Sequence, residues 1–263
     1  MSDALEAAAR ADAANTASRP VRISGDLVTR PASMASATVQ HFLRFLRSQG
    51  ENCVPEPVAL DDSFETLRYI AGASGGEAWY HQHTDEGLSS AARLLRRIHD
   101  AAQSWEPPAG AIWGAPEIAA ADDIVYCHGD PGPWNFVWID DSAVGLIDWD
   151  YLHPGPRLDD IAYALHWFVP LRSDELALKW HHFPEVPDRR HRISIFLEAY
   201  GDLPTFDVVD AVTFRMEAMS ELVSQLAQKG QEPQRTWVLD GALDRDREEI
   251  DWLRQHRELL SPR

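Results

Sequence analysis

The sequence predicts an α+β protein of two lobes, a short sheet-containing N-terminal lobe and a larger, mainly helical C-terminal lobe. Two observations carry this. Before Gly72, apolar residues fall in short runs separated by turn residues, and after it they recur at helical spacing. Gly72 to Gly76 then supply a flexible break between the two regimes. Residues 1–19 are Ala-rich with scattered charges and no long apolar run, so they are expected to form a disordered tail. That leaves residues 20–72 as the N-lobe and 73–263 as the C-lobe.

Val21 to Val28 around Gly25-Asp26 reads as a hairpin closing on Thr29 and Arg30. After Pro31, the spacing of Val39, Phe42, Leu43 and Leu46 predicts one amphipathic helix, with Ser33 or Ser36 as its N-cap and Gly50 as its stop. Pro57 to Leu60 and Phe64 to Ile70 read as two strands joined by Asp61-Asp62-Ser63. Beyond the break, Leu88, Ala91, Ala92, Leu95 and Ile98 mark the face of a longer helix. Further helical faces are expected over Ile161 to Val169, Ile193 to Tyr200, Val208 to Leu226 and Val238 to Leu260.

The chemistry is expected in the middle of the chain. Ile124 to Cys127 reads as a strand leading into the polar loop His128-Gly-Asp130-Pro-Gly-Pro-Trp-Asn135. Phe136 to Ile139 and Val144 to Ile147 read as a hairpin joined by Asp140 to Ala143. Pairing Ile139 with Val144 sets Phe136 against Ile147 and Asn135 against Asp148. An amide oxygen and a carboxylate together at a strand end are hard ligands suited to Mg²⁺, and Asp130 on the same loop is placed to accept a proton.

The run HGDxxxxN followed by IDWD resembles the catalytic signature of the aminoglycoside phosphotransferases and related small-molecule kinases, relatives of the protein kinases. The resemblance implies a protein-kinase-like fold that uses ATP or GTP with Mg²⁺. It makes Asp130 the catalytic base, Asn135 and Asp148 the metal ligands and the N-lobe the nucleotide-binding part. His128 and Asp160 become structural supports of the loop, and the linker at Tyr69 and Ile70 the place where the adenine ring is held. The N-lobe departs from the family in lacking a Gly-rich phosphate loop, a lysine on its third strand and a glutamate on the following helix. Arg30 is the nearest substitute for that lysine.

Composition narrows the partners. A net charge of −18 over 263 residues disfavours nucleic acid and favours a cationic small-molecule acceptor, for which Glu198, Glu217 and Glu221 are candidate contacts. No apolar run approaches the roughly 20 residues of a membrane span, so a cytoplasmic protein is expected. Cys53 and Cys127 form neither a disulfide framework nor a zinc pair, and the pairs His81/His83 and His181/His182 lack companion ligands. Asp150 is open between a structural hydrogen bond and a contact to metal or substrate. Tyr163, Trp167 and Phe168 are expected in the core, with an edge of the segment open to the cleft. Two rival readings remain: a hydrolase using Ser74 of Gly72-Ala-Ser-Gly-Gly76, and a catalytically silent binding protein of kinase-like shape.

Overall fold

Turn chemistry sets the first sheet. In the computed structural model, which describes residues 20–118 and 124–260, β1 (Arg22–Ser24) pairs antiparallel with β2 (Leu27–Pro31) across Gly25-Asp26. Gly25 closes this two-residue turn at φ +62°, a conformation that costs glycine little. The tail expected over residues 1–19 lies outside the described residues. β3 (Pro57–Leu60) and β4 (Phe64–Arg68) are joined by a turn in which the Asp61 carboxylate accepts from the Ser63 and Phe64 N–H groups. The sheet order is β1-β2-β4-β3, with Arg30 directly opposite Glu65. β4 ends at Arg68 rather than Ile70, because Arg68 already pairs with Leu27, the first residue of β2 after the β1–β2 turn.

Helix α1 (Ser36–Ser48) buries Val39, Phe42, Leu43 and Leu46 as one stripe. Neither expected serine caps it. Ala35 holds the N-cap position, and Ser36 is the first helical residue, its Oγ accepting from the Ser33 N–H. After a 3₁₀ stretch (Gly75–His83), α2 (Asp85–Ala102) is capped by Thr84, whose Oγ1 accepts from the Gly87 N–H. Leu88, Ala91, Ala92, Leu95 and Ile98 on α2 are completely buried, and this helix is the spine of the core.

β5 (Ile124–Cys127) pairs with β8 (His153–Pro156), a strand that the sequence did not suggest. His-Pro-Gly-Pro has no apolar alternation, and its two prolines are tolerated because a two-stranded ladder leaves an edge free. The C-terminal part is helical: α3 (Arg157–Phe168), α4 (Asp174–Trp180), α5 (Arg189–Tyr200), α6 (Val208–Gln228), α7 (Gln234–Leu239), α8 (Ala242–Gln255) and α9 (Arg257–Leu260). The single helix expected over Val238 to Leu260 is thus broken. Gly241, at φ +79°, separates α7 from α8. The short α4 escaped notice because only Ala177 on it is buried.

The hairpin of β6 (Phe136–Ile139) and β7 (Ser142–Leu146) departs from its expected register. Asp140, at φ +49°, closes a two-residue turn, so Ile139 faces Ser142. A bulge at Val144 then moves the ladder by one residue, and Phe136 faces Leu146. Asn135 is therefore opposite Ile147, whose N–H donates to its carbonyl, and not opposite Asp148. Asp148 lies one residue beyond the ladder at φ +65°.

Asp160, in the first turn of α3, joins these pieces. Its Oδ1 accepts from the Gly129 N–H at 2.8 Å, and its Oδ2 from the His128 N–H at 2.6 Å. His99 of α2 lies 3.0 Å from the same Oδ2. Burial alone would raise the pKa of this fully buried carboxyl, but His99 and the N–H groups of His128 and Gly129 outweigh it and hold it at about 2. A carboxyl depressed on folding contributes stability above its unfolded value and loses it as pH falls through the folded value. Asp160→Asn should thus cost about 2 kcal/mol at pH 7. In urea denaturation, the gap to the parent protein should close between about pH 4 and pH 2. A gap that does not vary with pH would assign the cost to packing instead.

Candidate active site

The loop after β5 is shaped by glycine and locked by histidine. Gly129 adopts φ +82°, and a Cβ there would come within 2.5 Å of the Tyr151 carbonyl, so no side chain fits. His128 is fully buried, and burial pushes its pKa down. Its ring is therefore neutral. Nδ1 accepts from the Asp130 N–H, so Nε2 carries the proton and donates to the Ile147 carbonyl at 2.8 Å. Both nitrogens are committed to fastening the loop to the strand end before Asp148.

Asp130 projects from this locked loop. The Asn135 amide donates to Oδ2 at 2.9 Å and to the Asp130 carbonyl at 2.8 Å. Oδ1 is shielded from solvent and has no hydrogen-bond partner. Burial raises the carboxyl to about pKa 7, with the charge of Asp148 adding to the rise, while Tyr163, Trp134 and Asn135 pull against it. A carboxyl at that value exchanges protons near neutrality. Tyr163 itself is pushed well above the ordinary phenol range by burial and by Asp130.

Asp148 follows β7 in a left-handed conformation that is uncommon outside glycine, asparagine and aspartate. Its Oδ1 receives the Arg30 Nη1 at 2.5 Å, while Arg30 Nη2 bonds Asp150 at 2.8 Å and Nε bonds Glu65 at 2.8 Å. One guanidinium thus carries three carboxylates. Burial works against the charged form of Arg30, but Asp148 and Glu65 more than compensate and raise its pKa. The donor chemistry suits a hard cation. The Asn135 amide spends its nitrogen on Asp130, which leaves its oxygen for a ligand, and the Asp148 carboxylate is part exposed at the cleft.

The other expected positions fall out differently. The Tyr69 N–H donates to the Asp26 carbonyl at 2.8 Å, so it is already engaged, and Ile70 packs against Gly145. Glu217 and Glu221 line a groove between α6 and α8, where Glu217 pairs with Arg254. Arg215, two residues earlier and so on the opposite side of α6, is the one that reaches the loop, donating to the Gly129 carbonyl at 2.6 Å. Glu198 is exposed on α5. The three glutamates therefore do not converge on Asp130. His83 bonds the His181 carbonyl at 2.7 Å, which makes it structural. Ser74 precedes a 3₁₀ stretch after an isolated bridge of Ala73 to Trp138, without the strand-turn-helix of a nucleophile elbow.

Glu65, Arg215 and Tyr163 join the site unannounced by any motif. Glu65 was legible in principle, since the two turns of the first sheet fix its register against Arg30. Tyr163 and Trp167 share a face of α3 at an i, i+4 spacing, half-buried beside the loop, whereas Phe168 alone of the aromatic trio enters the core.

Residues 111–193, which span β5, the Asp130 loop, Asp148 and α3, match the model of the phosphotransferase enzyme family. The chain is 29% identical over 211 residues to the trifolitoxin immunity protein of Rhizobium leguminosarum bv. trifolii, covering 74% of this chain and 79% of that one. Its fold is similar to that of amicoumacin kinase solved with AMP-PNP, Ca²⁺ and Ami, at a TM-score of 0.59 and 14% identity, covering 89% of this chain and 88% of that one. A choline/ethanolamine kinase family protein from Mesorhizobium loti aligns at a TM-score of 0.57 and 15% identity, covering 92% and 89%. The family match is centred on the loop and strand end that hold Asp130, Asn135 and Asp148, and the fold around them is similar to that of small-molecule kinases.

Proposed function

We propose that the protein moves the γ-phosphoryl group of ATP to a hydroxyl of a small molecule with the help of Mg²⁺, Asp130 serving as base and Asn135 and Asp148 as metal ligands. The observation that carries this reading is the state of Asp130. Asn135 holds one of its oxygens, the other is buried and unpartnered, and its pKa is about 7. Such an oxygen accepts a proton from a hydroxyl aligned by the loop. Bound between Asn135 and Asp148, Mg²⁺ would neutralise charge on the phosphates.

The chain's own residues supply the rest. The acceptor oxygen forms a bond to the γ-phosphorus as the bond to the β-bridging oxygen breaks; the acceptor proton passes to Asp130 Oδ1, and ADP leaves. Asn135 keeps the Asp130 carboxylate turned toward the acceptor, and His128 and Asp160 keep the loop from relaxing. Arg30, anchored by Glu65, is the cation on the N-lobe side of Asp148 and takes the phosphate-facing role of the lysine that this lobe lacks. The nucleotide and divalent ion in the amicoumacin kinase structure favour the same co-substrates here. The relative named as an immunity protein favours a toxic small molecule as acceptor. No helix among the described residues is long and apolar enough to cross a membrane, and an ATP-consuming role suits the cytoplasm.

Asp130→Asn should lower kcat by about 10²- to 10⁴-fold and leave AMP-PNP binding with Mg²⁺ within about twofold by calorimetry. Turnover by this variant at the parent rate would sink the reading. Asn135→Ala and Asp148→Asn should each abolish the Mg²⁺ dependence of AMP-PNP binding. If the parent protein binds no nucleotide with or without Mg²⁺, the silent binding protein is the better account.

A further inference from the structure

Three tryptophans stand beside Asp130 and outside the apolar core. Trp79, Trp134 and Trp167 are each only partly buried, whereas Trp105, Trp138 and Trp149 are core residues. Their ring centroids lie 4.8 Å (Trp134–Trp167), 5.3 Å (Trp79–Trp134) and 6.1 Å (Trp79–Trp167) apart. They come from the 3₁₀ stretch, the Asp130 loop and α3, so only the tertiary fold brings them together. Space has been left for one of them: the Trp134 indole lies over Gly132, where a Cβ would come within 2.3 Å of Cζ2. Trp134 and Tyr163 both act on the Asp130 carboxyl, and Trp167 is one turn beyond Tyr163.

Several polar atoms behind this wall are unpaired. His181 is fully buried, its ring 5.1 Å from Trp79 and 5.9 Å from Trp167, and neither of its nitrogens has a hydrogen-bond partner. The Trp167 Nε1 and the Nε of fully buried Arg172 are also without partners. Buried polar groups in folded proteins are nearly always paired, so donors gathered beside a proposed catalytic carboxyl call for acceptors from outside the chain. Electrostatics select what those are. The Arg172 guanidinium lies 4.4 Å over the Trp167 ring, occupying a face that an ammonium ligand would need. Glu249, the carboxylate nearest to Arg172, is already shared with His166.

We propose that Trp79, Trp134 and Trp167 form the acceptor subsite, and that the acceptor is a neutral or anionic alcohol carrying an aromatic ring, with no ammonium group. This rests on the reading of Asp130 as the base. The ring would lie against the indoles, its oxygen substituents toward the unpaired donors, and its hydroxyl toward Asp130 Oδ1.

The test is binding of 4-(hydroxymethyl)benzoate and of choline by ligand-observed NMR, in the presence of AMP-PNP and Mg²⁺. The aromatic probe should bind saturably and more tightly than choline. Trp134→Leu and Trp167→Leu should each weaken it about tenfold, while Trp167→Phe, which keeps a ring, should weaken it less and covers the case in which a leucine variant fails to fold. Tighter binding of choline, or binding of the aromatic probe unaffected by these substitutions, would overturn the proposal. Transfer from ATP to each probe is assayed alongside, in the parent protein and in Asp130→Asn, which separates the two claims. Indole-dependent binding without any Asp130-dependent transfer keeps the subsite and removes the kinase reading; Asp130-dependent transfer to choline without aromatic binding does the reverse.

Discussion

The site hangs on one carboxylate that never meets solvent. Asp160 accepts from two successive N–H groups of the Asp130 loop and meets His99 of the core helix α2. A buried carboxylate of this kind is costly unless all its partners are present, so loop, core helix and α3 must reach their places together. The loop is thus held at its start by Asp160, at its middle by Arg215 on the Gly129 carbonyl, and at its far end by the β6–β7 ladder. His128 links the first and the last of these, its backbone N–H on Asp160 and its ring Nε2 on the Ile147 carbonyl.

That rigidity allows two acidic groups near one another to behave differently. Asp160 is surrounded by donors and is held at about pKa 2, while Asp130, with one oxygen unsatisfied and Asp148 close by, is raised to about 7. Asp160 is the more deeply buried of the two and yet has the lower pKa, so burial does not set their order; the count and kind of hydrogen-bond donors does. A loop free to relax would let Asp130 find water and return toward an ordinary carboxylate.

Much of the fold could be read from the sequence because its signals are local. The helix faces of α1 and α2, the turns at Gly25 and Asp61 and the strand before His128 depend on neighbours within a few residues. The register of the β6–β7 hairpin was misjudged because a left-handed Asp140 and a bulge at Val144 have no signature in apolar patterning. β8 was missed because its residues suit a turn and become a strand only when β5 lies alongside. Motif reading gathered Asp130, Asn135 and Asp148 into one region, but Glu65, Tyr163 and Arg215 required tertiary contacts. The acidic residues chosen from net charge alone lie elsewhere, since charge reports on the whole surface and not on a cleft.

The two-residue β1–β2 turn has a consequence for how any cation enters the cleft. With no long loop to supply backbone donors, the N-lobe faces Asp148 with a single guanidinium, and that guanidinium is already engaged. Entry at Asp148 is therefore an exchange of one counter-ion for another, not the filling of a vacant charge. Glu65 makes the exchange reversible, because it keeps Arg30 tethered, neutralised and within reach while the newcomer holds Asp148.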